Sequence, residues 1–207
     1  MLSTTTAATV ALVLCAVFGV LGFGWRSWLQ HRRTGSAGFR GVSGRVGSVE
    51  WIAGVGFPLA LAVAVGAPVL QCANVIEPIS FLCATWIQVT GIVVAVVGIA
   101  ATVYAQLAMG DSWRIGVDEQ ETTTLVHTGL FGLVRNPIYT AMFIFIAGIC
   151  LVTPNPVVFA GFILLVATIE LHVRRVEEPY LLRTHGGAYR AYTAGVGRFI
   201  PRVGLIR

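Results

Sequence analysis

The chain has 207 residues, 56% of them apolar and 11% charged, against roughly 45–50% and about 25% in ordinary globular domains. That balance excludes a soluble fold and leaves a bundle of membrane spans, because lipid offers no partner to exposed backbone donors and acceptors. The alternating ten-residue segments of a membrane barrel are absent, so the expected fold is all-α: a polytopic helical bundle. The net charge of +5 comes entirely from arginine. It does not read as a nucleic-acid surface, because what matters is where the arginines fall.

The first apolar run covers 7–25. Its charges, Arg26, Arg32 and Arg33, follow the run instead of preceding it, the reverse of a secretory signal. A retained first span is therefore expected. A Gly-, Ser- and Arg-rich connector leads to a second run at 51–70, with Glu50 as a helix-start residue beside Trp51. The third run, 79–109, carries Gly91, Ala95, Gly98 and Thr102, small residues spaced for close helix packing. Two shorter runs follow at 138–152 and 157–169, separated by Thr153-Pro154-Asn155-Pro156, a turn by composition. About five transmembrane helices result, the last two forming a short hairpin before an amphipathic tail. Residues 1–109 are read as three N-terminal spans, and 110–207 as the region that carries chemistry.

Every arginine falls in 26–50, 110–137 or 170–207. The positive-inside rule then puts these segments and the C-terminus in the cytoplasm and the N-terminus outside, in a bacterial-type inner or plasma membrane. The hairpin is too short to span comfortably, about 20 residues being needed for ~30 Å of hydrocarbon. Arg135, Asn136 and Glu170 must then lie inside the inner leaflet. Ionisable groups at that depth face a cavity or each other. A polar pocket is expected, lined by the 110–137 loop and the helix after Ile169. On that helix Glu170, Arg174, Glu177, Leu181 and His185 share one face at helical spacing, Glu170 and Arg174 stand in ion-pairing order, and Pro179 should bend the chain.

No GxGxxG, GxSxG, HExxH or CxxC occurs, and no metal site is expected. Cys15, Cys72, Cys83 and Cys150 are scattered. They read first as small apolar packers, with a Cys72–Cys83 bridge as the alternative.

The informative stretch is LVHTGLFGLVRNPIY, Leu125 to Tyr139, followed by VEEPYLLRTHGGAYRAYTAGVGRFIP, Val176 to Pro201. In order it holds Thr128-Gly129-Leu130-Phe131, Arg135-Asn136-Pro137-Ile138-Tyr139, Glu177-Glu178, Gly186 or Gly187 with Tyr189 and Tyr192, and Arg198 with Pro201. Together these resemble the isoprenylcysteine carboxyl methyltransferase and phospholipid methyltransferase superfamily of membrane enzymes. Upstream, Asp111-Ser112-Trp113-Arg114 is similar to bacterial members. Asn136 stands where the isoprenylcysteine enzymes usually carry His, and Asn at this place also occurs in the superfamily.

The resemblance implies an S-adenosylmethionine-dependent methyltransferase acting on a lipid-like acceptor, isoprenoid or phospholipid, at the cytosolic leaflet. It implies a cofactor site of His127, Thr128, Gly129, Leu130, Arg135, Asn136, Pro137, Tyr139, Glu177, Glu178 and Tyr189. The chemistry agrees with this. Arginine pairs bidentately with a carboxylate, which suits Arg135. Glutamate suits an ammonium or sulfonium, which suits Glu177 and Glu178. Trp113, Arg114 and Arg174 are the candidates for the acceptor's head group, and Arg174 and Glu177 for catalysis. Replacing Glu178 by Gln is expected to abolish cofactor binding and leave expression intact. Two other readings stay open: an NADPH-dependent membrane reductase of the sterol-reductase type, and a non-catalytic membrane protein on the same scaffold.

Overall fold

The computed structural model describes residues 2–38, 41–42, 44–113 and 125–206. Arg114 and the rest of 114–124 lie outside the described residues. Among those described, the chain is helix and turn, with a single parallel bridge between Val134 and Gly197. Helix α1 (Thr4–Phe18) is capped by Ser3, whose Oγ accepts from Thr6 N at 3.1 Å. It runs through a π-helical segment, Gly19–Trp25, into α2 (Arg26–Thr34), which ends on Gly35 at φ 76°. Helix α3 (Val49–Cys72) starts from Ser48, which accepts from Trp51 N at 3.2 Å, with Glu50 in its first turn. A carboxylate there also favours the positive end of the helix dipole.

Helix α4 (Thr85–Met109) begins later than the apolar run does. Residues Ser80–Leu82 form a 3-10 turn instead, and Ile79 N donates to Pro154 O at 2.7 Å. The start of the third run is thus tied to the hairpin turn. Helix α5 (Pro137–Val152) and α6 (Pro156–His172) make the hairpin, each with proline in its first turn, where the missing N–H costs nothing. Beyond Ile169 the helix does not stop. It passes through a second π-helical segment, Val173–Glu177, into α7 (Glu178–Gly195). Pro179 cannot donate to the Arg175 carbonyl. That carbonyl lies in the widened π turn, so the helix passes the proline unbroken. The break comes at Gly186, at φ 52° and ψ −120°.

Four of these helical stretches, Thr4–Thr34, Val49–Cys72, Thr85–Met109 and Pro156–Gly195, are long and apolar enough to cross a membrane, and Pro137–Val152 is a shorter apolar helix beside them. The protein is an all-α integral membrane bundle.

Close packing follows the small residues. A Cβ placed on Gly98 would lie 2.5 Å from Phe145 N, and one on Gly91 2.8 Å from Gly148 O. Helices α4 and α5 therefore touch backbone to backbone. Helices α3 and α6 do the same where Gly161 meets Ala64. Phe18 from α1 stacks on Phe145 at 4.2 Å between centroids. The four cysteines are free and pack as small residues, with no Cys72–Cys83 bridge.

The end of the bundle that holds the hairpin turn is pinned by amides. Asn155 caps α6 by accepting from Val158 N at 2.9 Å, and its Nδ2 donates to Gln71 Oε1 at 3.0 Å. Both residues are buried. Asn155→Ala removes the cap, about 1 kcal/mol, and leaves a buried Gln71 oxygen unpaired, about 1–3 kcal/mol. A stability loss of about 2–4 kcal/mol is expected on unfolding in detergent.

Candidate functional site

At the opposite end, where the arginines gather, the loop before α5 is bound to the C-terminal tail. Arg135 N donates to Gly197 O at 2.8 Å and Asn136 N to Arg198 O at 3.1 Å. Asn136 Nδ2 also reaches Arg198 O at 3.2 Å, and Thr140 Oγ1 reaches Phe199 O at 2.9 Å. Gly197 is required here: a Cβ would fall 2.1 Å from Ile200 O.

The buried Arg135 guanidinium reaches out from this seam. Its terminal nitrogens donate to Val196 O, to Gly204 O at 3.0 Å and to Glu178 Oε1 at 2.7 Å. Glu178 also accepts from Arg198 Nε at 2.8 Å and Nη2 at 2.9 Å. Arg198 goes on to Glu170 at 3.2 Å, and Glu170 holds Arg174. The hydrogen bonds that Arg198 donates to Glu178 raise its pKa above the ordinary value, with the charges of Glu178 and Glu170 acting the same way against burial. The RNPIY, Glu-Glu and Arg–Pro pieces of the sequence are therefore joined by one ion network. Buried guanidiniums of this kind persist only when paired and hydrogen-bonded.

Above this network lies a cavity of about 600 Å³. Its polar wall includes Arg135, Asn136, Tyr139, His172, Glu177 and Tyr189. Tyr139 Oη donates to Glu177 Oε1 at 2.7 Å, and His172 Nε2 stands 3.4 Å from the same oxygen. Tyr189 packs edge-on to Tyr192, whose hydroxyl donates to Phe131 O. The apolar side is formed by one face of α3, from Ala53 through Phe57 to Leu61, together with Met142 and Ile169.

A further wall comes from the first half of the chain. Arg26 lies buried, its guanidinium 4.4 Å from the Trp113 ring centroid, donating to Gly110 O at 2.7 Å and Gln30 Oε1 at 2.9 Å. Trp113, 2% exposed, is thereby set into the wall. Gln106 donates to Gly22 O at 2.9 Å, a carbonyl of the first π-helical segment.

Of the residues expected from the sequence, Arg135, Asn136, Pro137, Tyr139, Glu177, Tyr189 and Trp113 line this cavity. Glu178 is buried in the ion network next to it. His127, Thr128 and Gly129 are exposed and Leu130 half-buried. Their turn reaches the wall through Phe131, and His127 sits 6.3 Å from Tyr192. Arg174 is exposed and engaged with Glu170. Arg26, Gln106 and His172 were missed. Each is a polar residue at or inside the end of an apolar run, a position that itself signals a buried polar function.

A family model for phospholipid methyltransferases matches residues 86–188, from α4 to just before Tyr189. The chain belongs to this family. It lies within the superfamily that also holds the isoprenylcysteine enzymes. No curated protein and no solved structure matches the chain significantly. The match takes in the expected motifs from Thr128 to Glu178. Membership in the phospholipid methyltransferase family identifies the protein as a membrane methyltransferase of lipid-like substrates. Its cavity carries polar groups on one wall and is apolar on the rest, a setting in which positioning of the reacting atoms can supply much of the rate of a displacement at carbon.

Proposed function

We propose that this protein transfers a methyl group from S-adenosylmethionine to a lipid-like acceptor at the cytosolic leaflet. The supporting observation is the 600 Å³ chamber on which Arg135, Tyr139, Glu177 and Tyr189 converge. Ligand sites commonly enclose about 300–1,000 Å³, so the volume suits a nucleoside-bearing cofactor. The wall suits it too. Glu177 offers a carboxylate to an ammonium or sulfonium, and Arg135 Nε is a buried donor with no partner among the described residues. Asn136, Pro137, Tyr139 and Tyr189 complete this wall, and Glu178 keeps Arg135 in place. When bound, S-adenosylmethionine supplies a methyl group on a sulfonium, a leaving group that needs no metal.

The chain's own residues orient and enclose. Trp113, held by Arg26, and the α3 face receive the acceptor's apolar part, with Arg114 beside Trp113 in sequence as a head-group candidate. The arginine-bearing end faces the cytoplasm and the N-terminus faces outward, in a bacterial-type inner membrane, as the arginine distribution supports.

Thermal stabilisation of the detergent-solubilised protein by S-adenosylhomocysteine but not by NADPH, with transfer of labelled methyl into a total lipid extract, is the expected result. Stabilisation by NADPH alone would overturn the reading. Tyr139→Phe removes a hydrogen bond to a charged group, about 1.5–3 kcal/mol. S-adenosylhomocysteine affinity measured by calorimetry is expected to fall about tenfold or more.

A further inference from the structure

We infer that the C-terminal turn at 200–203 re-enters the leaflet at the arginine-bearing end of the bundle and docks there on anionic phospholipid. Ile200 and Val203 meet the upper acyl carbons, and Arg202 meets a phosphate. The inference rests on the helical membrane fold and is independent of the reaction catalysed. The path of the tail carries it. After α7 ends at Gly195, the chain turns back along α5. Gly197 O accepts from Arg135 N, and Arg198 O from Asn136 N. Phe199 O then accepts from Thr140 Oγ1 at 2.9 Å, and the Phe199 ring packs edge-on against Phe143, 5.3 Å between centroids. Successive tail residues thus meet residues farther along α5, in the direction of the hairpin turn at its other end.

The register of α5 against α4 gives the depth. A Cβ on Gly91 would lie 2.8 Å from Val152 N, and one on Gly98 2.5 Å from Phe145 N, two contacts of one antiparallel register. Continued along both helices, it sets Pro137 level with Gln106, about one turn before α4 ends at Met109. Helix α5 has 16 residues. Its length of about 24 Å falls short of the ~30 Å of hydrocarbon. Its start, and the tail that passes it toward Phe143, therefore lie at the height of the lipid boundary and not in the aqueous space beyond.

The turn has the composition of such a contact. Val203 N donates to Ile200 O at 3.0 Å and Arg198 N to Val203 O at 2.7 Å. Pro201 is second in the turn and Arg202 third, at φ 63°, the pattern of a type II turn. A left-handed φ favours glycine at that place. An arginine stands there instead, exposed and in no ion pair among the described residues. Ile200 is 60% exposed and Val203 57%, although Arg135 ties down the returning chain through Gly204 O at 3.0 Å. Leu133, next to the bridged Val134, is exposed as well. Clustered exposed apolar side chains mark a contact surface. A cation at the lipid boundary needs a counter-charge, and the aliphatic stem of an arginine reaches along apolar surface to find one. An anionic phospholipid offers both parts.

The test uses the full chain in lipid nanodiscs, with a nitroxide on Val203→Cys in a Cys72→Ser background, Cys15, Cys83 and Cys150 being buried. In discs of mixed phosphatidylcholine and phosphatidylglycerol, the label is expected to collide with oxygen more than with a water-soluble nickel complex. In phosphatidylcholine alone, and in the mixture after Arg202→Gly, the ratio of inserted to withdrawn label should fall about fivefold, the weight of one arginine at an anionic surface. Glycine suits the φ of this position, so the variant keeps the turn, and the change of lipid needs no substitution at 202. A label in bulk water in the mixed discs would overturn the inference. So would an inserted label indifferent both to lipid charge and to Arg202→Gly. Dipolar coupling between labels in discs holding two copies would give the patch to a second chain and overturn it as well.

Discussion

Glu178→Gln should cost about 3–5 kcal/mol of stability, the range for removing one partner from a buried ion pair. Glu178 is 8% exposed and lies between Arg135 and Arg198, themselves 6% and 7% exposed. The three charges are joined at 2.7–2.9 Å. With an amide in place of the carboxylate, the buried Arg135 guanidinium loses the carboxylate it pairs with, and Arg198 keeps only Glu170, at 3.2 Å. The tail from Val196 to Gly204, which hangs on Arg135 and Arg198, should then come loose. The unfolding midpoint in detergent and the rate of proteolysis beyond Gly195 report this directly. From the sequence alone, the same substitution was expected to abolish cofactor binding without harming expression. The network adds a structural penalty. Unchanged stability with S-adenosylhomocysteine binding lost would show Glu178 to be a ligand contact and not a tie.

Gly148→Ala should be nearly as damaging, although it adds one methyl group. Its Cβ would sit 2.4 Å from Ala95 N and 2.7 Å from Gly91 O, and a Cβ on Gly98 2.5 Å from Phe145 N. In both cases the obstacle is backbone in a neighbouring helix, which cannot rotate out of the way as a side chain would. The expected loss for either substitution is about 3 kcal/mol, the upper part of the range for overpacking, because α4 and α5 must separate. Gly66 in α3 has nothing within 4 Å of the same position, so Gly66→Ala should leave stability unchanged or slightly raised. Equal effects at all three glycines would refute the close α4–α5 contact.

Much of the site was legible because its chemistry is written in ordered motifs. Arg135 and Tyr139 come from one short stretch, Glu177 and Glu178 from another, and the hairpin between them has only one way to return. Where the hairpin argument expected a polar pocket lined by the 110–137 loop and the helix after Ile169, a cavity lies beside residues 125–139 and that helix, but most of its lining is apolar and part of it comes from α3. What sequence could not supply was the division of labour between neighbours. Glu177 faces the cavity and Glu178 the ion network, because successive residues on a helix point about 100° apart and the π-helical segment before them resets the phase. Arg174, on the face assigned from uninterrupted helical spacing, is exposed with Glu170 for the same reason.

The front half of the chain was legible only as spans. Nothing in the local pattern around Arg26 or Gln106 names Gly110 or Gly22 as the partner, since each lies 84 residues away along the chain. Composition, arginine placement and motif order determined a helical membrane protein of the methyltransferase class, because each is a property of the chain read one segment at a time. Which side chains share a chamber and which are engaged in holding the tail were decided by the tertiary structure. Those outcomes depend on the rotation and depth of helices against one another, which close contacts between glycines such as Gly98 and Gly148 set and no single segment encodes.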